Sequence, residues 1–354
     1  MSHPTSPAWT DAARAAAFDA WLAPPAVRLG LDTASLRLAS ADASFRRYLR
    51  IDRADGAGSL IVMDAPPDKE DCRPFVQVAA LMEEAGLRVP EVLDWNGPLG
   101  FMLITDLGRR TVIEALDPGD PQAALPHYLA AVDALVAWQK ASKPGVLPAY
   151  DGALLRRELA LFPEWYLGRH RGVQLDAAQQ QVLDTAFDAI VRENLAVPQV
   201  YVHRDFMTRN LMLPSGGDPR PGVLDFQDAV HGPITYDIAS LLRDAFISWP
   251  EEFVIDVTVR YWEAARRAGL PVHEDFGAFW RAVEWMGLQR HLKVAGIFAR
   301  LTLRDGKPRY LGDAPRFIHY VRATADRYRE LGPFLKLIDE IEGIEAQTGW
   351  VIGR

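Results

Sequence analysis

The sequence predicts an α+β protein of two lobes: a small antiparallel β lobe carrying one helix, then a larger, mainly helical lobe. Three observations predict it. Short apolar segments of strand type crowd the first 107 residues, and apolar residues at helical spacing fill most of the remainder. A compact group of β segments then interrupts the helices between residues 200 and 226. The link between the lobes falls at Leu107-Gly108, which divides the chain into 1–107 and 108–354.

The elements follow in order. Residues 9–22 carry an amphipathic helical pattern. Strand-type segments come next at 35–39, 44–51 and 60–64, the last two separated by the turn-like Arg53-Ala54-Asp55-Gly56-Ala57-Gly58. Pro66-Pro67-Asp68 breaks the run. Phe75, Val78, Ala79 and Met82 then share one face of a helix over 75–84, which Gly86 can end. Two further strands, 91–95 and 101–105, flank the turn signal Asn96-Gly97-Pro98. From Asp106 onward the spacing is helical, first through Tyr128, Val132 and Leu135, then through Leu155, Leu159 and Phe162. Long helical stretches are predicted near 176–194, 236–248, 251–268, 275–300 and 314–345. The exceptions are 200–202, 211–213 and 223–226, which place a hairpin inside the helical lobe.

Composition bounds the function. The chain has 354 residues, 49% hydrophobic and 24% charged, ordinary values for a globular protein. Net charge is −8 with no basic stripe, so nucleic acid is not expected as a partner. The single cysteine, Cys72, excludes an intramolecular disulfide and a thiolate zinc cage. No apolar run approaches the roughly 18 residues of a membrane-spanning helix. Residues 1–7 lack a signal pattern. A cytoplasmic monomer that works on small molecules and not at membranes is expected.

The densest polar signal is His203-Arg204-Asp205-Phe206-Met207-Thr208-Arg209-Asn210, followed by Val223-Leu224-Asp225-Phe226. Phosphoryl transfer from a nucleotide needs a carboxylate near the attacking hydroxyl and hard oxygen ligands for Mg²⁺. In this pattern Asp205 orients the acceptor and takes its proton, while Asn210 and Asp225 hold the metal. His203 braces the loop as a scaffold. A lone loop Asp is ordinarily a turn or cap residue, and an isolated His203/Asp205 pair can be a hydrogen-bonded core pair. Both elements in order, each at a strand end and with fifteen residues from Asn210 to Asp225, point to chemistry instead.

On these motifs the sequence resembles the aminoglycoside phosphotransferase and choline kinase-like family, over about residues 36–243. The resemblance implies a protein-kinase-like two-lobed fold with ATP and Mg²⁺ as cofactors. It assigns Asp237, in Tyr236-Asp237-Ile238-Ala239, to holding the catalytic loop by hydrogen bonds; an N-cap of the following helix is the other reading, and the two are compatible. Residues 40–48 resemble the nucleotide loop, which makes Ser44, Phe45, Arg46 and Arg47 candidate nucleotide contacts; a polar hairpin turn explains them equally. Residues 101–107 resemble the hinge strand whose backbone receives adenine, with Thr105 and Leu107 as the contacts. One departure stands out. The third strand, Ser59-Leu60-Ile61-Val62-Met63-Asp64, has no Lys, and the next helix has no Glu near its start. Arg46, Arg47 and Lys69 are the candidate replacements, and an exposed salt bridge is the alternative for Arg47. The missing pair is also the argument for a nucleotide-binding pseudokinase.

Within the family, residues 42–48, 63–67, 224–229 and 289–294 are similar to bacterial kinases that phosphorylate N-acetylmuramate and N-acetylglucosamine at the anomeric hydroxyl during peptidoglycan recycling. An anomeric hydroxyl is more acidic than an ordinary alcohol, so one carboxylate base suffices. Fork-like hydrogen bonds suit an N-acetyl sugar, and an Arg suits a lactyl carboxylate. Arg209, Gln227, Arg243, Gln289, Arg290 and His291 are the candidate amino-sugar contacts, each weighed against an ordinary surface or core role. Trp285 is read as core or as a stacking face. The alternative acceptors are an aminoglycoside, choline or another metabolite.

Overall fold

A computed structural model describes Trp9, residues 11–41 and residues 45–344. In chain order the elements are α1 (Ala12–Leu29), β1 (Leu31–Ala41), β2 (Arg47–Arg53), β3 (Ser59–Asp64), α2 (Arg73–Glu84), β4 (Val92–Asn96), β5 (Phe101–Thr105), α3 (Pro121–Lys140), α4 (Gly152–Leu159) and α5 (Ala177–Leu195). They continue with β6 (Gln199–Val202), β7 (Leu211–Met212), β8 (Gly222–Val223), β9 (Val230–Pro233), α6 (Tyr236–Leu242), α7 (Glu251–Arg267), α8 (Phe276–Leu303), α9 (Ala314–Arg327) and α10 (Gly332–Glu342). The chain divides into two compact units, Met1–Ala115 with Arg209–Ala229, and Leu116–Thr208 with Val230–Arg354. The first unit thus runs past residue 107 and takes in the hairpin that the sequence alone assigns to the helical lobe.

The first unit is built on an antiparallel sheet in the order β1-β2-β3-β5-β4. Alternation puts Leu49 and Ile51 of β2 on the buried face, where Leu60, Val62, Phe101 and Leu103 join them. α1 covers that face with Phe18, Trp21 and Leu22. The Asp11 side chain caps α1 by accepting from the N–H groups of Ala13 and Arg14, and Gly30 closes it at φ 61°. The helix is longer than its 9–22 pattern because it continues through Pro24 and Pro25, with Pro25 and Ala26 buried. Burial outweighs the hydrogen bonds that proline removes. The β7–β8 hairpin attaches through the Val223 N–H to the Arg88 carbonyl at 2.8 Å and the Leu213 N–H to the Arg110 carbonyl at 3.0 Å. Glycine suits position 222, where a Cβ would lie 2.8 Å from the tip of the Leu107 side chain and 3.0 Å from Met212 Cβ, so either neighbour would have to give way.

The second unit pairs β6 with β9, Val200 facing Gly232 and Val202 facing Val230, inside a set of helices around the largely buried α8. β9 escapes a sequence reading because Val230-His231-Gly232-Pro233 holds two poor strand formers. Gly232 is needed all the same, since a Cβ there would sit 2.7 Å from Tyr150 Cβ. The helix expected over 236–248 stops at Leu242. The helix expected over 314–345 divides at Tyr328, whose backbone is extended, and Pro333 opens α10. No helix among the described residues is long and apolar enough to cross a membrane.

Candidate active site

In the second unit, β6 delivers the chain to His203, Arg204 and Asp205. The loop starts on a carboxylate: the His203 N–H donates to Asp237 Oδ2 at 2.7 Å and the Arg204 N–H to Oδ1 at 3.0 Å. Asp237 is fully buried in the first turn of α6, and the N-cap is Thr235, so the capping role falls away while both carboxylate oxygens serve the loop. Burial pushes the Asp237 carboxyl up to about 6, against the pull of His203 and the two N–H donors. The His203 ring is buried, packs edge-on to Phe206, and accepts the Asp205 N–H at Nδ1, 3.2 Å away. That bond leaves the ring proton on Nε2 when the ring is neutral. The far end of the loop rests on Asp244, which sequence reasoning misses. Its Oδ2 accepts from the Thr208 N–H and hydroxyl at 3.2 and 2.8 Å, and its Oδ1 from the Phe246 N–H at 2.8 Å. The available signal was an Asp set among Leu241, Leu242 and Ala245 with no polar neighbour but Arg243.

Arg204 has φ 76°, and among the described residues it and Asp225 are the only non-glycine residues in the left-handed region. Such a conformation costs about 1–3 kcal/mol and persists only where the surroundings hold it. Beneath the loop, α8 brings Gln289 and Arg290 inward. Arg290 donates to the Arg204 carbonyl at 2.8 Å, and Gln289 to Glu158 at 3.1 Å and the Tyr150 hydroxyl at 3.3 Å. His291, on the next position, is 2% exposed and stacks on Tyr320 with ring centroids 4.6 Å apart. Burial, with Arg243 and Arg290 nearby, pushes its imidazole well below the usual range. Arg243, at the end of α6, is half-buried and pairs with Glu251 at 2.9 Å. Trp285 is core, with no exposed surface.

The first unit carries the rest. Asn210 ends a short 3₁₀ turn that leads into β7, and Asp225 follows β8 at φ 63°. The Asn210 amide approaches Asp225 Oδ2 at 3.4 Å, the Gln227 amide donates to Oδ1 at 2.8 Å, and the Leu224 N–H donates to the Asn210 carbonyl at 2.9 Å. Phe226 is buried against Phe75 of α2, ring centroids 4.8 Å apart. Arg209 is half-buried within the same turn. A carboxylate and an amide on adjacent strand ends are the hard-oxygen donors Mg²⁺ takes when phosphate and water fill out its shell. Among the described residues no cluster of three His, Cys, Asp or Glu side chains exists that could hold an ion by itself.

The cations near the sheet separate clearly. Arg47 meets the buried Asp64, which also takes Arg14, and the Arg47 guanidinium lies 4.2 Å from the Trp9 ring. Arg46 pairs with Glu70 at 2.9 Å, both side chains largely buried, just ahead of α2. Lys69 is half-exposed, 6.0 Å from the ring of Phe45, which is itself 66% exposed. Ser44 lies outside the described residues. Thr105 is tied to Glu91 through its N–H and its hydroxyl. The Leu107 carbonyl accepts from Arg88 and from the Ser215 hydroxyl, each at 3.1 Å.

A family profile described as "Phosphotransferase enzyme family" matches residues 35–276, more than half of the chain. The chain belongs to the phosphotransferase enzyme family. As a member it is a phosphotransferase with a hydroxyl acceptor. The N-acetylmuramate/N-acetylglucosamine kinase of Pseudomonas aeruginosa is 52% identical over 314 residues, covering 88% of this chain and 90% of that one. The protein of the same name from Neisseria meningitidis serogroup B is 51% identical over 317 residues, covering 89% and 93%. Among solved structures, the GDP complex of wild-type aminoglycoside 2'-phosphotransferase-IIIa has a TM-score of 0.57 at 13% identity, covering 88% of this chain and 99% of that one. This phosphotransferase therefore has the protein-kinase-like two-lobed fold.

Proposed function

We propose that the protein is an ATP-dependent kinase that phosphorylates N-acetylmuramate and N-acetylglucosamine on the anomeric C1 hydroxyl, as a cytoplasmic monomer in peptidoglycan recycling. One observation carries the reading: two kinases named for these sugars match about half of the residues over nine-tenths of both chains. The loop chemistry supports it. Asp205 accepts the acceptor hydroxyl's hydrogen bond, turns the oxygen toward the phosphoryl group and takes the proton as the new P–O bond forms. His203 and Asp237 keep the loop in the conformation that presents Asp205. Mg²⁺, held by Asp225 and Asn210, would draw charge from the oxygens of the transferring group.

In this reading Arg46, fixed by Glu70, meets nucleotide phosphate in place of the absent third-strand Lys, while Arg47 secures Asp64 within the sheet. Arg209, Gln227 and Arg243, each half-buried, remain the amino-sugar contacts. Gln289, Arg290 and His291 shape the acceptor side from beneath it.

The test is the purified protein with ATP and Mg²⁺ against N-acetylmuramate, N-acetylglucosamine, kanamycin, choline and no acceptor, with phosphorus NMR of the products. A sugar 1-phosphate from the first two acceptors is expected. Turnover confined to kanamycin or choline would overturn the acceptor and leave the phosphotransferase.

A further inference from the structure

Arg204 precedes the proposed base, and three of its ties come from buried partners. Its N–H donates to Asp237, its carbonyl accepts from Arg290, and its guanidinium meets Glu158 Oε1 at 2.6 Å. Glu158 comes from α4 and is 5% exposed. It is held in turn by Lys293 Nζ at 2.9 Å and by the Tyr150 hydroxyl. Arg290 and Lys293 stand three residues apart on α8, so one helix face fixes both the Arg204 carbonyl and the carboxylate that grips its side chain. Lys293 also bonds the Tyr236 hydroxyl at 3.1 Å, and Arg290 lies 4.8 Å from the Tyr236 ring, which ties the cluster to α6 and Asp237.

A buried lysine and a half-buried arginine converging on one buried carboxylate explain its ionisation. Burial alone would raise the Glu158 carboxyl, yet Lys293, Arg204 and Tyr150 hold it down to about 2. The charge is needed where it is, because a neutral side chain would leave the buried Lys293 and the half-buried Arg204 without it. A left-handed non-glycine residue persists only where its surroundings over-determine it, so each tie helps to hold the peptide. The side-chain tie is the only one of the three that neither the Asp237 brace nor α8 supplies to the backbone itself.

We infer that Glu158 is a positioning residue for phosphoryl transfer: by gripping the Arg204 guanidinium it keeps the Arg204–Asp205 peptide turned so that the Asp205 carboxylate meets the acceptor hydroxyl. The inference rests on Asp205 being the base, and it does not depend on which acceptor is used. The experiment is steady-state kinetics, with whichever acceptor the wild type phosphorylates, on Arg204→Gly, Glu158→Gln, the double variant and Asp205→Asn. Glycine reaches this φ at no steric cost but is not confined to it, so Arg204→Gly is expected to keep the fold and the Glu158–Lys293 pair while losing the grip that fixes the peptide.

A drop in kcat of about 10- to 100-fold, with little change in either KM, is expected for each single variant. The double variant should be no slower than the slower single one, because both cut one link. Full kcat in Arg204→Gly, or losses that multiply in the double variant, would overturn the inference. If Asp205→Asn is inactive while Arg204→Gly is fully active, the base stands and only the Glu158 role fails. Activity in Asp205→Asn would remove the base and the inference with it.

Discussion

The two left-handed residues, Arg204 in the second unit and Asp225 in the first, are held in opposite ways. Arg204 is gripped through both backbone polar groups and its guanidinium by buried partners. Asp225 is approached through its carboxylate by the side-chain amides of Asn210 and Gln227, both half-buried. Amide side chains turn at little cost, whereas a backbone bonded to buried carboxylates does not. If Asp205 is the base and Asp225 and Asn210 hold the metal, as proposed, the base sits on a backbone tied to buried side chains and the metal ligands meet one another through side-chain amides. Buried carboxylates occur in both units: Asp64 with Arg14 and Arg47 in the first, and Asp237, Asp244 and Glu158 around the loop in the second.

The comparison breaks most sharply at the base. Asp205→Asn should lower turnover about 10²- to 10⁴-fold and leave nucleotide affinity nearly unchanged, by steady-state kinetics and nucleotide titration. Equal losses of affinity and rate would place Asp205 with the metal ligands.

Next in size is the buried brace. The Asp237 carboxyl ordinarily ionises near 4 and is raised to about 6 in the folded chain, so folding binds its proton. That contribution is fully present below about pH 4 and is lost as pH rises through 6, a change of about 3 kcal/mol. Asp237→Asn has no such titration. Denaturant unfolding at pH 4 and pH 7 should show the wild type losing stability relative to the variant by that amount, and a flat difference would mean the carboxylate is not strained by burial.

The metal side should respond in binding. Asp225→Ala is expected to weaken nucleotide affinity measured with Mg²⁺ by at least about the 10- to 100-fold that even outer-shell partners are worth. Nucleotide affinity without Mg²⁺ should change far less. The smallest effect separates the two sheet arginines. Losing a charged hydrogen bond to phosphate, worth about 1.5–3 kcal/mol, should make Arg46→Met raise the KM for ATP by about tenfold or more. Arg47→Met should show its main effect in thermal stability, through Asp64. The reverse pattern would exchange their roles.

Much of this was legible in the chain. The strands at 60–64 and 101–105 and the helix near 75–84 stand where period-2 and helical spacing put them, because each buries one regular face. The motif from His203 to Asn210 and Asp225-Phe226 was legible as a candidate site by residue order alone. The small strand β9 was not legible, since it depends on Gly232 fitting against Tyr150 across 82 positions of sequence. The candidate replacements for the absent Lys, Arg46, Arg47 and Lys69, could not be told apart in the sequence, whereas their neighbours Glu70, Asp64 and Phe45 distinguish their settings.

By itself the sequence determined the fold class and the family and marked candidate residues for phosphoryl transfer, because local periodicity and closely spaced motifs need no distant contact to be read. Only the tertiary structure decided what holds those residues. Glu158, Asp244 and Arg290 lie 46, 36 and 86 positions from the loop residues they bond, Arg204 and Thr208. A buried charge acquires its role from the partner that burial leaves within reach, and that partner is set by packing across the fold, not by spacing along the chain.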